Sequence, residues 1–247
     1  MSSSATLVAR FAAPMQSWST DQGKRRSSER TPTKSGIVGI CARSLGLDLS
    51  DIPSWRPLAE LRYGVRSDRP GTTMVEYQSA GGGELVPGSN VPYYTFRADK
   101  DRKVFQRWQE HLNDACFLVC LSGERDLVEK LSVALDRPER LWGLGKLACP
   151  PIRPVVLDVL DDDLLTVLRT YGLVDIYGEV PALVLAEWDA APDGESTLER
   201  RFDVPVDFVE RRYGARFVRS EQIEVQELAA IARPAAAADA DGERDAG

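Results

Sequence analysis

A single histidine, His111, is all that the 247 residues offer for acid–base work near neutral pH, and this scarcity excludes more than any motif present. Serine and cysteine nucleophiles usually depend on a histidine base, and His111 in "WQEHLND" sits beside Trp108 and Leu112, where a hydrogen-bonded structural role is expected. The four cysteines, Cys41, Cys116, Cys120 and Cys149, contain no C-x-x-C pair, so no zinc set is expected, only reduced thiols inside a core. Long apolar runs are missing: none approaches the ~20 residues of a membrane span. Met1 to Thr6 show no basic region followed by an apolar one, so no export signal is read and a cytoplasmic location is expected. The glycines of a nucleotide-binding loop are missing too. A P-loop places two glycines at fixed spacing before Lys-Ser/Thr. Lys34-Ser35-Gly36 lacks them, and in "GLGKL" Leu147 replaces the hydroxyl while Arg140 stands at the first glycine. Asp161 to Asp163 are consecutive and cannot all face one ion in regular structure; they suit a helix start. Neither a metal nor a cofactor is expected.

The charge, by contrast, is abundant and uneven. Residues 1–153 hold 22 Lys/Arg against 17 Asp/Glu, net +5, and the remainder holds 9 against 21, net −12, which together give the overall −7. Such asymmetry points to a polyanionic partner on the basic face. The acidic half either docks a neighbour or keeps the chain soluble.

Apolar periodicity predicts an opening strand over 6–14, with Leu7, Ala9 and Phe11 on one face and Val8 and Arg10 on the other. A long basic loop follows. Thr31-Pro32 marks the start of a helix carrying Ile37, Val38, Cys41 and Leu45, which Gly46 and "LDLSDIP" end. Strands at 60–68 and 72–80 are joined by the turn "DRPG". A glycine- and proline-rich loop spans 81–103; "ACFLVCLSG" is a buried strand, and "ERDLVEKLSVALDRP" an amphipathic helix. This order predicts an α+β fold built on a ferredoxin-like βαββαβ unit. Beyond it lie a short helix from Asp161 and strands in "PALVLAEWD", "RFDVPVDF" and "ARFVRSEQIEV". The expected organisation is a core over 1–155, an irregular β-rich extension over 156–232 and a disordered tail over 233–247.

Three loops combine basic and polar residues with glycine. In the first, Gly36 admits a close approach to a helix N-terminus, Lys34 adds charge, and Thr33 and Ser35 add hydroxyls, which together suit a phosphate. Lys24, Arg25, Arg26 and Arg30 are placed to neutralise further phosphates. Gln16 and Trp18 add an amide and a stacking surface for unstacked bases. The second loop offers Tyr93, Tyr94, Arg97 and Arg102, and the third Lys146. Each patch alone is more often plain solvated surface. Together they favour single-stranded RNA over a regulatory domain without RNA, and they leave metal-free RNA cleavage by tyrosine and lysine as an alternative.

"APMQSW" after the first strand and then "TPTKSGIVGICARSLG" resemble the paired N-terminal signature of the CasD family, whose members hold the 5′ handle of the guide RNA in the type I-E CRISPR surveillance complex Cascade. "HLNDACFLVCL" and "LWGLGKLACPP" are similar to later blocks of that family, so the likeness covers roughly residues 5–155 in order. The resemblance implies an RRM-like fold of the RAMP superfamily, with 81–103 as an extended thumb. It also implies a non-catalytic end cap whose partners are the guide RNA, the Cascade backbone subunit, the large PAM-reading subunit and, through the complex, target DNA. Gln16, Trp18 and the Lys34-Ser35-Gly36 turn would lie against the handle, so Lys34→Glu is expected to weaken handle binding and spare the fold. Arg97, Arg102 and Lys146 follow from looser blocks. The alternative is a metal-independent endoribonuclease that processes precursor CRISPR RNA.

Overall fold

β1 (Ser4–Ala12) is apolar on both faces because both faces are covered. Ala5, Leu7, Ala9 and Phe11 enter one core, while Val8 and Ala12 enter a second on the opposite side of the sheet. The computed structural model describes residues 4–19, 25–80, 105–175, 180–191 and 198–228. Two short strands follow β1: β2 (Met15–Gln16) and β3 (Arg25–Arg26). Then come α1 (Lys34–Ser44), α2 (Ile52–Glu60), β4 (Arg62–Arg69), β5 (Thr72–Ala80), β6 (Phe105–Asn113), β7 (Cys116–Glu124) and α3 (Arg125–Asp136). β8 (Val156–Leu160), α4 (Leu164–Thr170), β9 (Leu183–Asp189), β10 (Glu199–Asp207) and β11 (Arg212–Glu224) complete the order.

The main sheet runs β10-β11-β9-β4-β7-β1-β8, with every neighbouring pair antiparallel. α1, α2 and α3 supply Ile37, Trp55 and Leu131 to the core on one face; α4 supplies Val167 and Leu168 to the other. β7 feeds both, Phe117 and Val119 one way and Leu118 and Cys120 the other, as a central strand must. The fold is mixed α and β with few helices around one large antiparallel sheet. All four cysteines are free and buried, and burial pushes the Cys41, Cys116 and Cys120 thiols up to about 12. No helix among the described residues is long and apolar enough to cross a membrane.

Several expectations need correction. α1 starts two residues after Pro32, because Thr33 is its N-cap and accepts a bond from the Gly36 N–H. "LDLSDIP" does not simply end that helix; it leads into α2, which buries Trp55 and Leu58 one turn apart. The strands expected at 60–68 and 72–80 are present as β4 and β5, but β5 leaves the main sheet and pairs with β6, whose other edge takes β2 and β3. Residues 81–104 join β5 to β6 and lie outside the described residues, as does the tail from 233. The boundary expected near 155 falls within the main sheet, since β8 pairs with β1 and β9 continues it from β4.

Candidate nucleic-acid interface

The two N-terminal signature segments meet at one indole. Trp18 is 1% exposed, stacks on Phe11 (centroids 6.3 Å apart, planes 14° apart), and lies so close to Gly36 that a Cβ there would come within 3.0 Å of its ring. Gln16 orients it. The Gln16 Oε1 accepts from Trp18 Nε1 at 3.0 Å, and Gln16 Nε2 donates to the carbonyls of Phe11 and Ala115. Both side chains are therefore buried, and the polar atoms expected to meet a base are bonded within the fold. Gly36 serves the Trp18 ring.

The end of α1 already holds an anion. The Lys34 backbone N–H donates to Asp203 Oδ2 at 2.9 Å, and its ammonium pairs with Asp189 at 2.7 Å. Arg216 grips Asp203 with two bonds of 2.6 and 3.0 Å and reaches Asp189 at 2.8 Å. Burial works against the Arg216 charge, but the Asp203 bonds outweigh it and hold the guanidinium above its ordinary pKa. Beside them, Thr31 and Arg201 both bind the Glu187 carboxylate. Lys34 and Ser35 are buried, and the Ser35 hydroxyl faces Thr33 Oγ1. Two expectations fail here for one reason: carboxylates from β9 and β10 occupy the site. The Thr33–Gly36 turn is no open phosphate cradle, and Lys34→Glu would set a carboxylate against Asp189 and disturb the fold.

A groove of about 390 Å³ opens next to this closed end, lined by Trp18, Ser35, Ile40, Arg43, Trp142 and Phe208 among others. It continues into a cleft of about 260 Å³ lined by Ser17, Ser19, Arg26, Gln109, Gly145, Lys146, Phe208, Arg211 and Tyr213. The third glycine loop shapes the junction. Gly145 has φ +78°, and a Cβ there would fall on the Ser17 carbonyl oxygen, so only glycine lets 142–147 dock on the "APMQSW" segment. The Ser17 N–H donates to Leu144 O at 3.1 Å and fixes the contact.

Arg26, Lys146 and Arg211 form no ion pair among the described residues. Partial burial, then the fields of Arg107 and Arg211, lower the Arg26 pKa; partial burial also lowers that of Lys146, with Arg107 and Arg26 adding to it and Glu76 opposing. Positive groups packed until they depress one another suit an anion. Trp142, 6% exposed and lining the groove, has a buried indole N–H with no hydrogen-bond partner among the described residues.

Of the remaining expected residues, Arg25 is exposed with its guanidinium over Trp108, and Arg30 is exposed. Lys24, Tyr93, Tyr94, Arg97 and Arg102 lie outside the described residues. Arg211, Phe208 and Tyr213 were missed. They sit around the β10–β11 turn, in the acidic half, where "ERRYG" was the available signal. His111 is 1% exposed and bonds Glu76 through Nε2 at 2.9 Å, in the structural role expected of it.

The family described as CRISPR-associated protein (Cas_Cas5) matches residues 6–219. The chain is 31% identical over 190 residues to the CRISPR system Cascade subunit CasD of Escherichia coli (strain K12), covering 70% of this chain and 80% of that one. A solved structure described as "Crystal structure of Cas protein" superimposes with a TM-score of 0.67 at 32% identity, over 90% of this chain and 97% of its own. A chain of a "CRISPR RNA-guided surveillance complex" gives a TM-score of 0.70 at 26% identity, over 92% and 95%. On the length of the family match and the identity to CasD, the chain belongs to the Cas5 family of CRISPR-associated proteins, the family that includes CasD.

Proposed function

We propose that this chain is the CasD-type, non-catalytic component of a Cascade-like surveillance complex, and that it holds the 5′ handle of the guide RNA along the groove and cleft just described. The observation that carries the reading is the trio Arg26, Lys146 and Arg211, which has no ion pair among the described residues and lines a cleft shared with Ser17 of "APMQSW" and Gly145 of "LWGLGKLACPP". Phosphates contribute sequence-independent affinity through such cations, and a guide that stays bound needs grip more than turnover. Target sequence is then left to base pairing by the guide. The backbone and large PAM-reading subunits would flank the chain.

The strand order β8-β1-β7-β4, with α1 linking β1 towards β4 and α3 linking β7 to β8 on one face, supports a ferredoxin-like core. The burial of His111 favours holding over cutting, because a base that cannot reach a 2′-hydroxyl cannot activate it.

Co-expression with the other complex subunits tests the reading. RNA that copurifies with wild type should share one 5′ end. R26A/K146A/R211A should reduce the RNA per complex, and equal RNA occupancy with equal 5′-end protection would defeat the assignment.

A further inference from the structure

The outer face of the β5–β6 pair carries aromatic rings that the cleft does not use. Strand alternation sends Gln109 and His111 inward and Trp108 and Glu110 outward. Tyr77 lies opposite Trp108 and Val75 opposite Glu110, so the four share one face, where Tyr77 is 53% and Val75 57% exposed. On the other edge of β6, Arg25 aligns with Trp108 and Arg26 with Gln109. The Tyr77 and Trp108 centroids are 5.3 Å apart at 50°, and the Arg25 guanidinium lies 5.6 Å from the Trp108 centroid. Arg25, Arg26, Val75, Trp108 and Glu110 enclose about 380 Å³, within the range of roughly 300–1,000 Å³ that takes a small organic group.

The geometry points to a pocket for one unstacked nucleobase of a single RNA strand, a subsite that deepens the RNA-holding reading above and rests on it. Rings and a guanidinium give the π surface on which any base stacks. The Glu110 carboxylate keeps a phosphate out and accepts N–H groups from a base edge: its Oε2 takes the Ser28 N–H at 3.2 Å, and Oε1 has no partner among the described residues. Arg26 borders this pocket and the cation cleft alike, so a strand crossing the β3 edge would set its base here and its adjoining phosphate there. A protein neighbour covering the same rings would have to desolvate Arg25, Arg26 and Glu110 together, which a nucleotide instead engages.

The test is an abasic scan. Fluorescence anisotropy on the purified full chain measures single-stranded RNAs carrying one abasic nucleotide at each position in turn. In wild type one abasic position should weaken binding roughly 5- to 150-fold, the range for one stacked base. In Trp108→Ala that position should cease to matter, and Trp108→Tyr should restore its effect. An abasic profile identical in wild type and Trp108→Ala overturns the inference, as does a Trp108→Ala loss that is equal for every oligonucleotide, a fully abasic one included. If Trp108→Ala keeps the wild-type profile but sheds a protein subunit on purification, the face is a protein contact and the inference also falls. Absence of RNA binding by wild type would defeat the functional reading as well. RNA binding that depends on R26A/K146A/R211A, with an unchanged Trp108 profile, would defeat this inference alone.

Discussion

The end of α1 and the cleft beside it both place a lysine next to glycine and serine, yet their cations have opposite fates. At α1, Lys34, Arg201 and Arg216 meet four carboxylates, Glu187, Glu199, Asp189 and Asp203, all supplied by β9 and β10. In the cleft, Arg26, Lys146 and Arg211 meet none among the described residues. The first arrangement ties the acidic half of the chain to its basic half. The second leaves positive charge for something outside the chain. A basic residue near a helix N-terminus is thus no measure of free charge until its long-range partners are known, and here the partner of Lys34 is 155 positions away.

The sharpest way to break the contrast is to open the closed side. Arg216→Ala leaves buried Asp203 without its cation and Asp189 with Lys34 alone, and loss of one partner of such a network costs about 3–5 kcal/mol. At about 2–4 °C per kcal/mol for a chain of this size, the melting temperature should fall by roughly 6–20 °C. RNA affinity of the folded fraction should stay put. A variant that melts normally but binds RNA more weakly would mean that α1 is an RNA site after all, and the two regions would no longer differ in kind.

The open side should respond in the reverse sense. R26A/K146A/R211A should leave the melting temperature within a few degrees of wild type, because none of the three forms an ion pair among the described residues. Each phosphate contact on a single strand contributes about 0.7 to the salt slope of log affinity, so three lost contacts lower the slope by about 2. Since this contribution fades near 1 M salt, the same loss is roughly 50-fold at 0.15 M. Titrations at several salt concentrations would read both numbers. An unchanged slope would show that these cations meet no phosphate.

Why the two were alike in sequence is a matter of range. Local signals served well: alternation marked β1, a continuous apolar run marked β7, helical spacing marked α3, and Asp163 capped α4 as its acidic start suggested. β6 escaped because its inward side chains include Gln109 and His111, so a buried face looks polar. Asp203, Arg216 and Arg211 escaped because nothing short-range in "RFDVPVDF" or "ERRYG" reports which end of which helix the hairpin covers. Gly36 shows the same limit in one residue. It was given to a phosphate, whereas Trp18 holds the space. Gly36→Ala should cost about 1 kcal/mol, overpacking partly offset by better helix propensity, with a shift in tryptophan emission and little change in RNA affinity. Loss of affinity without a change in emission would restore the phosphate to that glycine.

The smallest expected effect belongs to Glu76, a carboxylate whose field reaches Lys146 in the cleft. Glu76 accepts from Gln78 at 2.8 Å and pairs with His111. The His111 bond holds its carboxyl below the ordinary range, against a small effect of burial, and Gln78 and the field of Lys146 act in the same direction. A depressed carboxyl stabilises the fold above its unfolded pKa of about 4.3, and that contribution disappears as the pH drops through the lower folded value. Glu76→Gln should therefore melt below wild type at pH 7, and the gap should close as the pH approaches about 3. A gap that persists there would assign the effect to shape, not charge. The same variant removes the anion whose field favours the Lys146 ammonium. RNA affinity at low salt should then rise slightly if the cleft seeks anions, whereas a fall would mean that Glu76 itself contacts the strand.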